Sequence, residues 1–336
     1  MIIVLAAVTA GGIFAKDIFS LLYSSYTNSN GQKSLRPQGT IDLNLSDKTE
    51  FFVKYSNDLD TTTSASKTYR NYLSNYSSRY AVDSITGATS VDVISRATLK
   101  FNDNRSDVMA GFRHKISDSA VTYVSFDSIV GNDYRSNTLS LALNQNVFSK
   151  KTWLLTGINR STDDIFLPTG ALRESSAVYA VDLALAHIFS PNTLTRLGYT
   201  YTTNPGSASL SPSDSYSSTD WNFLFYQHLF ATSGVLVNYR YFNDTFNVKF
   251  HTMGVVYYHR FNNSLKVWPE FRYYEEAGYN STLGGLNLSF YISDNWELGV
   301  KYSKDFYNYT ASGTSGNSDL IQVLVKLYTF ETKKWE

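Results

Sequence analysis

Four of the five histidines recur at one position of a repeated pattern. His114, His187, His228 and His259 each lie two residues before a large apolar residue that opens a turn. Neighbouring strands of a sheet lie about 4.8 Å apart, and these histidines fall on every second strand or farther. Their rings therefore cannot meet within about 2 Å of a common point, as a metal site requires. We predict no metal site and assign the four rings to one face of a sheet, in an interfacial belt near one rim.

The sequence carries none of the common catalytic or nucleotide-binding patterns. It has no cysteine, which excludes thiolate metal sites, cysteine nucleophiles and covalently attached c-type haem. Neither G-x-S-x-G nor H-E-x-x-H occurs, and there is no glycine-rich phosphate loop. Gly284 and Gly285 are predicted to be a strand glycine pair that produces a bend. We predict that the chain is not an enzyme and needs no cofactor.

Charged residues of both signs alternate with apolar residues in extended segments. If these segments enclose a water-filled interior, such charges could create a transverse field that orients solutes, or could bridge one another and stiffen the wall. The sequence leaves both interpretations open. The side chains predicted to point into the lumen are Asp182, Arg196, Arg240, Glu270, Arg272, Glu297, Lys301 and Lys326.

The elements that position these charges are marked by a repeated turn. Each unit is a large apolar residue, two or three turn formers and then a β-rich run. Spacings near 31 residues, as between Phe230 and Phe261, fit two strands of about 10 to 13 residues and two turns. Wider spacings predict long loops at the opposite rim, over 57–90, 161–175, 203–217 and 308–318. The seven apolar turn residues are Leu45, Ile116, Phe148, Phe189, Phe230, Phe261 and Ile292.

Between the turns, apolar and polar residues alternate with a period of two, which predicts strands with one apolar and one polar face. Aromatic residues bracket the apolar face, as in an interfacial girdle, and this favours a membrane barrel over a soluble sandwich that also alternates. Pro269 inside a strand predicts a bulge or a local break in pairing, with Trp268 and Glu270 facing the lumen. Tyrosines predicted for the girdle at the outer rim are Tyr239, Tyr241, Tyr257, Tyr273 and Tyr279.

The strand count follows from the turns. Seven turns join fourteen strands, a final strand runs over 319–330, and a first strand over 17–27 closes the ring. The predicted fold is therefore all-β, a transmembrane antiparallel up-and-down β-barrel of about sixteen strands. Residues 58–115 contain two further turn-like clusters, so fourteen or eighteen strands also fit.

Composition agrees with a single barrel domain. Aromatic residues make up 15% of the 336 residues and charged residues only 17%, and the formal net charge is zero, which gives no electrostatic footprint for nucleic acid. Residues 1–15 form a short apolar stretch that ends in small residues, which predicts the remnant of a signal peptide cleaved after Ala15. We therefore assign 16–336 to one barrel in the outer membrane of a Gram-negative bacterium.

Three short stretches carry a family resemblance: DSITGAT at 83–89, NR at 104–105 and GNDYRS at 131–136. They resemble a bacterial outer-membrane β-barrel family known only as a domain of unknown function. That family shares a D-x-(V/I)-(S/T)-G-A-(S/T) stretch, an arginine-containing strand and an S-x-E-x-D-Y-x-S stretch. The chain departs from the last pattern at 130–132, where the family has its glutamate region. Its matching residues are Ser125, Ser128, Asp133, Tyr134 and Ser136.

The resemblance is specific over about 83–165 and architectural elsewhere. It implies an outer-membrane barrel and implies no catalytic residues. Members of the family tend to be associated with extracytoplasmic redox and flavin-transfer proteins, so an accessory role in electron transfer is also implied.

Two functions fit these expectations. The first is a porin-like channel for small hydrophilic solutes or ions, in which the lumen charges select and loop 57–90 or 161–175 folds inward. The alternative is a sleeve or anchor that holds a partner protein, such as an extracytoplasmic redox carrier. The expected surroundings in both cases are the lipid bilayer outside and water inside, and the oligomeric state is left open.

Overall fold

The computed structural model describes eleven segments of the chain. These are residues 17–29, 33–60, 105–131, 134–148, 151–166, 172–204, 216–245, 249–262, 264–293, 295–309 and 313–329. No helix in these segments is long and apolar enough to cross a membrane. The predicted signal peptide 1–15 and the motif at 83–89 lie outside the described residues.

The described residues form sixteen strands. Those of the first half are β1 (Asp17–Asn28), β2 (Lys33–Ser46), β3 (Thr49–Asp60), β4 (Arg105–Ser117), β5 (Ala120–Val130), β6 (Tyr134–Asn146), β7 (Thr152–Phe166) and β8 (Leu172–Ser190). Those of the second half are β9 (Thr193–Asn204), β10 (Tyr216–Phe230), β11 (Ser233–Asp244), β12 (Lys249–Arg260), β13 (Leu265–Glu276), β14 (Tyr279–Ser293), β15 (Trp296–Tyr309) and β16 (Thr314–Thr329).

The strands close into one antiparallel barrel. Each pairs with its neighbours in sequence, and β1 pairs with β16 over its whole length, from Asp17↔Thr329 to Asn28↔Ser318. Closure leaves no sheet edge with unpaired backbone groups, which is the condition for a sheet to lie in lipid. The predicted fold and the count of sixteen are confirmed.

All seven predicted turns join consecutive strands at one rim, which we call the short-turn rim. They connect β2 to β3, β4 to β5 and so on to β14 and β15. The apolar residue that opens each turn is 50% to 98% exposed, with Leu45 and Phe148 at the two extremes. The repeat seen in the sequence is therefore a ring of apolar side chains at this rim.

The predicted long loops are too long, because strands continue into them. Residues 161–166 belong to β7 and 172–175 to β8, so only 167–171 remain between these strands. Strand residues likewise occupy the ends of 203–217 and 308–318, and 57–60 lies in β3. The Ser- and Asp-rich composition suggested a loop, but Ser161 and Asp163 are buried on the inner face of a strand. The rest of 57–90 lies outside the described residues.

The two faces of the wall follow the predicted alternation. On β8, Tyr179 and Leu185 are exposed, whereas Ala180 and Asp182 are buried. The buried face carries mainly small polar residues, and Thr138, Thr202 and several serines on it are almost completely covered. The apolar face is therefore the outward one, and the polar face lines the interior.

Pro269 interrupts pairing on one side of β13 only. The register with β14 runs through it without a shift. Towards β12, pairing stops at Val256↔Glu270 and resumes at His259↔Val267 in the same register. Proline has no N–H to donate, so the predicted local break is confirmed and no bulge accompanies it.

Gly284 and Gly285, where a bend is expected, lie within a continuous strand. β14 passes through both glycines with unbroken pairing to β13 and β15. Gly285 faces inward, where an added Cβ would lie 2.7 Å from Oε1 of Glu270 and 2.9 Å from Cβ of Ser303. The glycine therefore makes room for the glutamate.

Candidate functional site

The structure places all eight predicted charges on the inner face. Five are buried, with relative exposures between 3% for Arg196 and 8% for Asp182. The side chains of Arg272, Lys301 and Lys326 keep 11% to 17% of their surface. Their role in selecting solutes stays a prediction.

Glu270 is the centre of a cluster that joins two strands of the wall. Its Oε1 lies 2.7 Å from Nζ of Lys301 on β15, and its Oε2 lies 3.5 Å from a guanidinium nitrogen of Arg272 on β13. The carboxylate side chain is only 3% exposed. Two cations therefore hold one anion, and the cluster presents a net charge of +1 to the interior.

Glu297 is the centre of a second cluster, nearer the short-turn rim. Nζ of Lys326 lies 4.0 Å from its Oε2, to which the Tyr328 hydroxyl also donates at 2.5 Å. The hydroxyl of Ser289 donates to its other oxygen. Sequence reasoning missed Tyr328 and Ser289, although both share the inward parity of their strands.

Arg240 and Asp182 have separate partners. Nε of Arg240 donates to Asp220 at 2.7 Å, and the guanidinium carbon lies 5.2 Å from the ring centre of Phe250. Asp182 accepts hydrogen bonds from the Asn159 amide at 2.5 Å and from the Thr200 hydroxyl at 2.6 Å. Arg196 is buried on β9 in the same inner layer.

Several buried inner acids were not predicted. Asp163 accepts from Ser136 at 2.7 Å and from Ser161 at 2.5 Å. Ser136, one of the residues that carry the family resemblance, is thus part of the inner wall and is fully covered. The parity of each strand would have found these acids, whose buried members are Asp127, Asp163, Asp220, Asp244 and Asp305.

The inner charges are distributed unevenly around the ring. Among the described side chains of β5 to β8, the inner face carries Asp127, Asp163 and Asp182 and no lysine or arginine. In a ring of sixteen strands, β13 to β16 lie eight places away and so on the opposite side. That side carries equal numbers of inward cations and inward acids, so its formal charges balance: Lys266, Arg272, Lys301 and Lys326 against Glu270, Glu276, Glu297 and Asp305.

An arc of aromatic rings crosses the inner wall in the half away from the short-turn rim. Phe242 stacks on Phe250 with ring centres 4.7 Å apart, and Phe250 lies 5.4 Å from Tyr274. Tyr279 continues the arc at 5.7 Å from Tyr274 and 6.4 Å from Tyr307. The arc spans β11 to β15, and it ends in half-buried tyrosines.

The arc corrects part of the predicted tyrosine girdle. Tyr279 faces inward, because the inward parity of β14 includes the buried Ser281 and Leu283. Tyr257 faces outward but lies four residues from Phe261, hence near the short-turn rim. Tyr239, Tyr241 and Tyr273 do lie on the outward face in the half away from that rim.

Comparison with known proteins supports the family resemblance and the fold. A family described as "Protein of unknown function (DUF3570)" matches residues 212–280. No curated protein matches the chain. The expected resemblance to a barrel family of unknown function is confirmed, and the matched stretch lies C-terminal to the motifs within 83–165.

Solved structures of similar shape are outer-membrane barrels. CdiB from Acinetobacter baumannii has a TM-score of 0.61 at 9% identity, over 93% of this chain and 60% of that one. A bacterial polysaccharide outer membrane secretin has a TM-score of 0.58 at 9% identity, over 95% and 100%. A BenF-like porin from Pseudomonas fluorescens Pf-5 has a TM-score of 0.52 at 8% identity, over 95% and 100%. The chain is an outer-membrane β-barrel.

The outward face of this barrel contacts lipid, and three of the four histidines near the short-turn rim lie on that face. His114, His187 and His259 are outward, as predicted. His228 is inward, between Tyr226 and Tyr258, so the prediction of one common face is wrong. The turn after β10 begins one residue earlier than assumed, since Leu229 holds the outward place that Phe189 holds on β8.

Proposed function

We propose that the barrel is a porin-like channel that passes small hydrophilic solutes or ions across the outer membrane. A closed wall with a lipid-facing outside and a polar inside is the architecture that such a channel needs. The similar structures are outer-membrane barrels, and one of them is a BenF-like porin.

The observation that carries the proposal is the opposition of two inner sectors. One sector, on β5 to β8, offers carboxylates and hydroxyl groups without a described cation. The other, on β13 to β16, carries four cations and four acids, so it is neutral overall, with ammonium and guanidinium groups held around Glu270 and Glu297. An acidic wall that faces a wall of balanced charge produces a transverse field, which orients dipolar solutes and weights the passage of ions by their sign.

Reconstitution into a planar bilayer tests the proposal. We expect discrete conductance steps in potassium chloride from folded protein, and none from the same preparation after heat denaturation. Heat-modifiable mobility on a detergent gel verifies that the barrel is folded in the first sample. If the folded barrel conducts at no voltage, the channel proposal is wrong, and the alternative of a sleeve for a partner protein takes its place.

A further inference from the structure

The hairpin of β12 and β13 brings two cations face to face at the short-turn rim. Arg260 and Lys266 are directly paired on the inner face, at the first inward position from the turn. Like charges directly opposite each other in an antiparallel pair are destabilising. The other six short hairpins pair no two charges of one sign at this position, which holds Asn44↔Glu50, Lys115↔Val121, Asn146↔Trp153, Ile188↔Leu194, His228↔Gly234 and Tyr291↔Glu297.

The inner face of the short-turn rim carries an excess of positive charge. Two of its acids lie beside cations of the same rim, Glu50 at 2.9 Å from Arg113 and Glu297 at 4.0 Å from Lys326. An anion that enters the interior at this rim therefore meets an attractive potential. The two inward positions nearest the short turns, counted over all sixteen strands, hold six cations and three acids, for a net charge of +3: Arg113, Lys115, Arg196, Arg260, Lys266 and Lys326 against Asp42, Glu50 and Glu297.

Tyrosine hydroxyls surround the facing cations. Nζ of Lys266 donates to the Tyr291 hydroxyl at 2.7 Å and lies 4.5 Å from the centre of that ring, which positions the ammonium group. Two residues deeper than Arg260, the hydroxyls of Tyr258 and Tyr226 are hydrogen-bonded to each other. Such a pair uses one proton between its oxygens, so the second proton can be donated to a ligand. All five side chains are half-buried, so a solute in the interior can reach them.

We infer that the inner face of the short-turn rim binds one small oxyanion, with Arg260 and Lys266 as its two cationic ligands. A guanidinium group offers a planar fork of N–H donors that fits two oxygens of a phosphate or carboxylate, whereas an ammonium group acts as a point charge. An oxyanion between the two side chains replaces their mutual repulsion by two attractions. A dianion such as phosphate gains more from this exchange than chloride does, because it has twice the charge and several acceptor oxygens.

The site also bears on the solutes that the barrel passes. Its ligands face the interior, where a solute on its way through the wall would meet them before or after the cluster at Glu270. Oxyanions are therefore the class of solute that this rim favours, and this step rests on the proposed function of a channel. The binding site itself does not depend on conduction.

Equilibrium dialysis of radiolabelled inorganic phosphate against the folded full chain tests the inference, in an uncharged detergent and at a pH where phosphate is a dianion. We expect saturable binding of one phosphate per barrel in a chloride buffer of constant ionic strength. R260Q and K266Q should each weaken the binding about tenfold, the usual contribution of a hydrogen bond between charged groups. K249Q removes the same charge from an exposed, outward position of β12 at the opposite rim and should bind phosphate as the wild type does.

A urea titration in lipid vesicles separates a ligand from a residue that only supports the wall. Phosphate should raise the unfolding midpoint of the wild-type barrel but not that of R260Q. Without phosphate, R260Q should be at least as stable as the wild type, because one of two facing like charges is gone. A lower midpoint of R260Q in the absence of phosphate would overturn the assignment of Arg260 as a ligand.

The remaining outcomes decide between the site, the channel and a protein partner. No saturable phosphate binding would overturn the inference, and so would equal weakening in K249Q and R260Q, because net charge alone would then attract the anion. Capture of an acidic peptide by a barrel that does not bind phosphate would also overturn it, in favour of a protein partner at this rim. Phosphate binding by a barrel that conducts at no voltage would retain the site and refute the channel, whereas conductance without phosphate binding would retain the channel and refute the site.

Discussion

Replacement of Glu270 by glutamine tests whether this carboxylate affects the permeation of ions or only stabilises the wall. The substitution keeps the shape of the side chain and removes one negative charge from the cluster with Arg272 and Lys301, so its net charge rises from +1 to +2. At about 10 Å from the carboxylate, the attraction of a monovalent cation or the repulsion of a monovalent anion is about 0.4 kcal/mol in water without screening.

Salt reduces this energy to a predictable extent. With a screening length of about 10 Å at 0.1 M, about 0.15 kcal/mol remains, and at 0.01 M, where the length is about 30 Å, about 0.3 kcal/mol remains. When the carboxylate is removed, the interior becomes less favourable for a cation and more favourable for an anion by these energies. The permeability ratio of potassium to chloride should therefore fall about 1.7-fold at 0.1 M and nearly 3-fold at 0.01 M.

The reversal potential across a bilayer with a salt gradient measures this ratio. E275Q is the matched control, since Glu275 belongs to the same strand but is exposed on the outward face. It changes the net charge of the protein equally and should leave the ratio unchanged. The reasoning is refuted if both variants shift the ratio alike, or if E270Q conducts with the wild-type ratio at both salt concentrations.

Three further substitutions test single contacts. G285A should lower the free energy of unfolding by about 1–3 kcal/mol, measured by urea titration in lipid vesicles, because its Cβ would meet Glu270 at 2.7 Å. G284A is the control, since its Cβ would have no atom within 4 Å, and equal losses in both would contradict the explanation. T152V should cost about 1 kcal/mol in the same titration, because it removes a 2.8 Å hydrogen bond to a histidine, and an unchanged midpoint would show that this bond is not stabilising. K326Q should move the permeability ratio towards potassium, opposite to E270Q, and an unchanged ratio would mean that this lysine does not face the conducting path.

The strand plan could be predicted because each strand repeats the same two signals. Turn formers follow an exposed apolar residue such as Phe189, and the next ten or so residues alternate between lipid and interior. The predicted loop boundaries were wrong where polar residues replace the apolar residues on the outward face. Near Ser161 and Asp163 both faces carry polar residues, so a strand that leaves the lipid layer has the composition of a loop.

The offset of His228 has a related cause. Leu229 and Phe230 are both large and apolar, and the sequence does not say which of them opens the turn. The structure gives the outward place to Leu229, and a register shift lies between His228 and Phe230. Because successive side chains point to opposite faces, an error of one residue moved the imidazole from the interior to the lipid.

Whether a charged side chain points inward could be predicted from the alternation in its own strand. The residue with which it forms an ion pair could not. Parity alone puts Glu270 and Lys301 on the inner face. Whether they meet depends on how far β13 and β15 are staggered, and on the space left by Gly285 on the strand between them. A single added methyl group there would reach the carboxylate. The arrangement of these inner charges therefore depends on contacts between strands, and Gly285 contributes to it through the space that it leaves for Glu270.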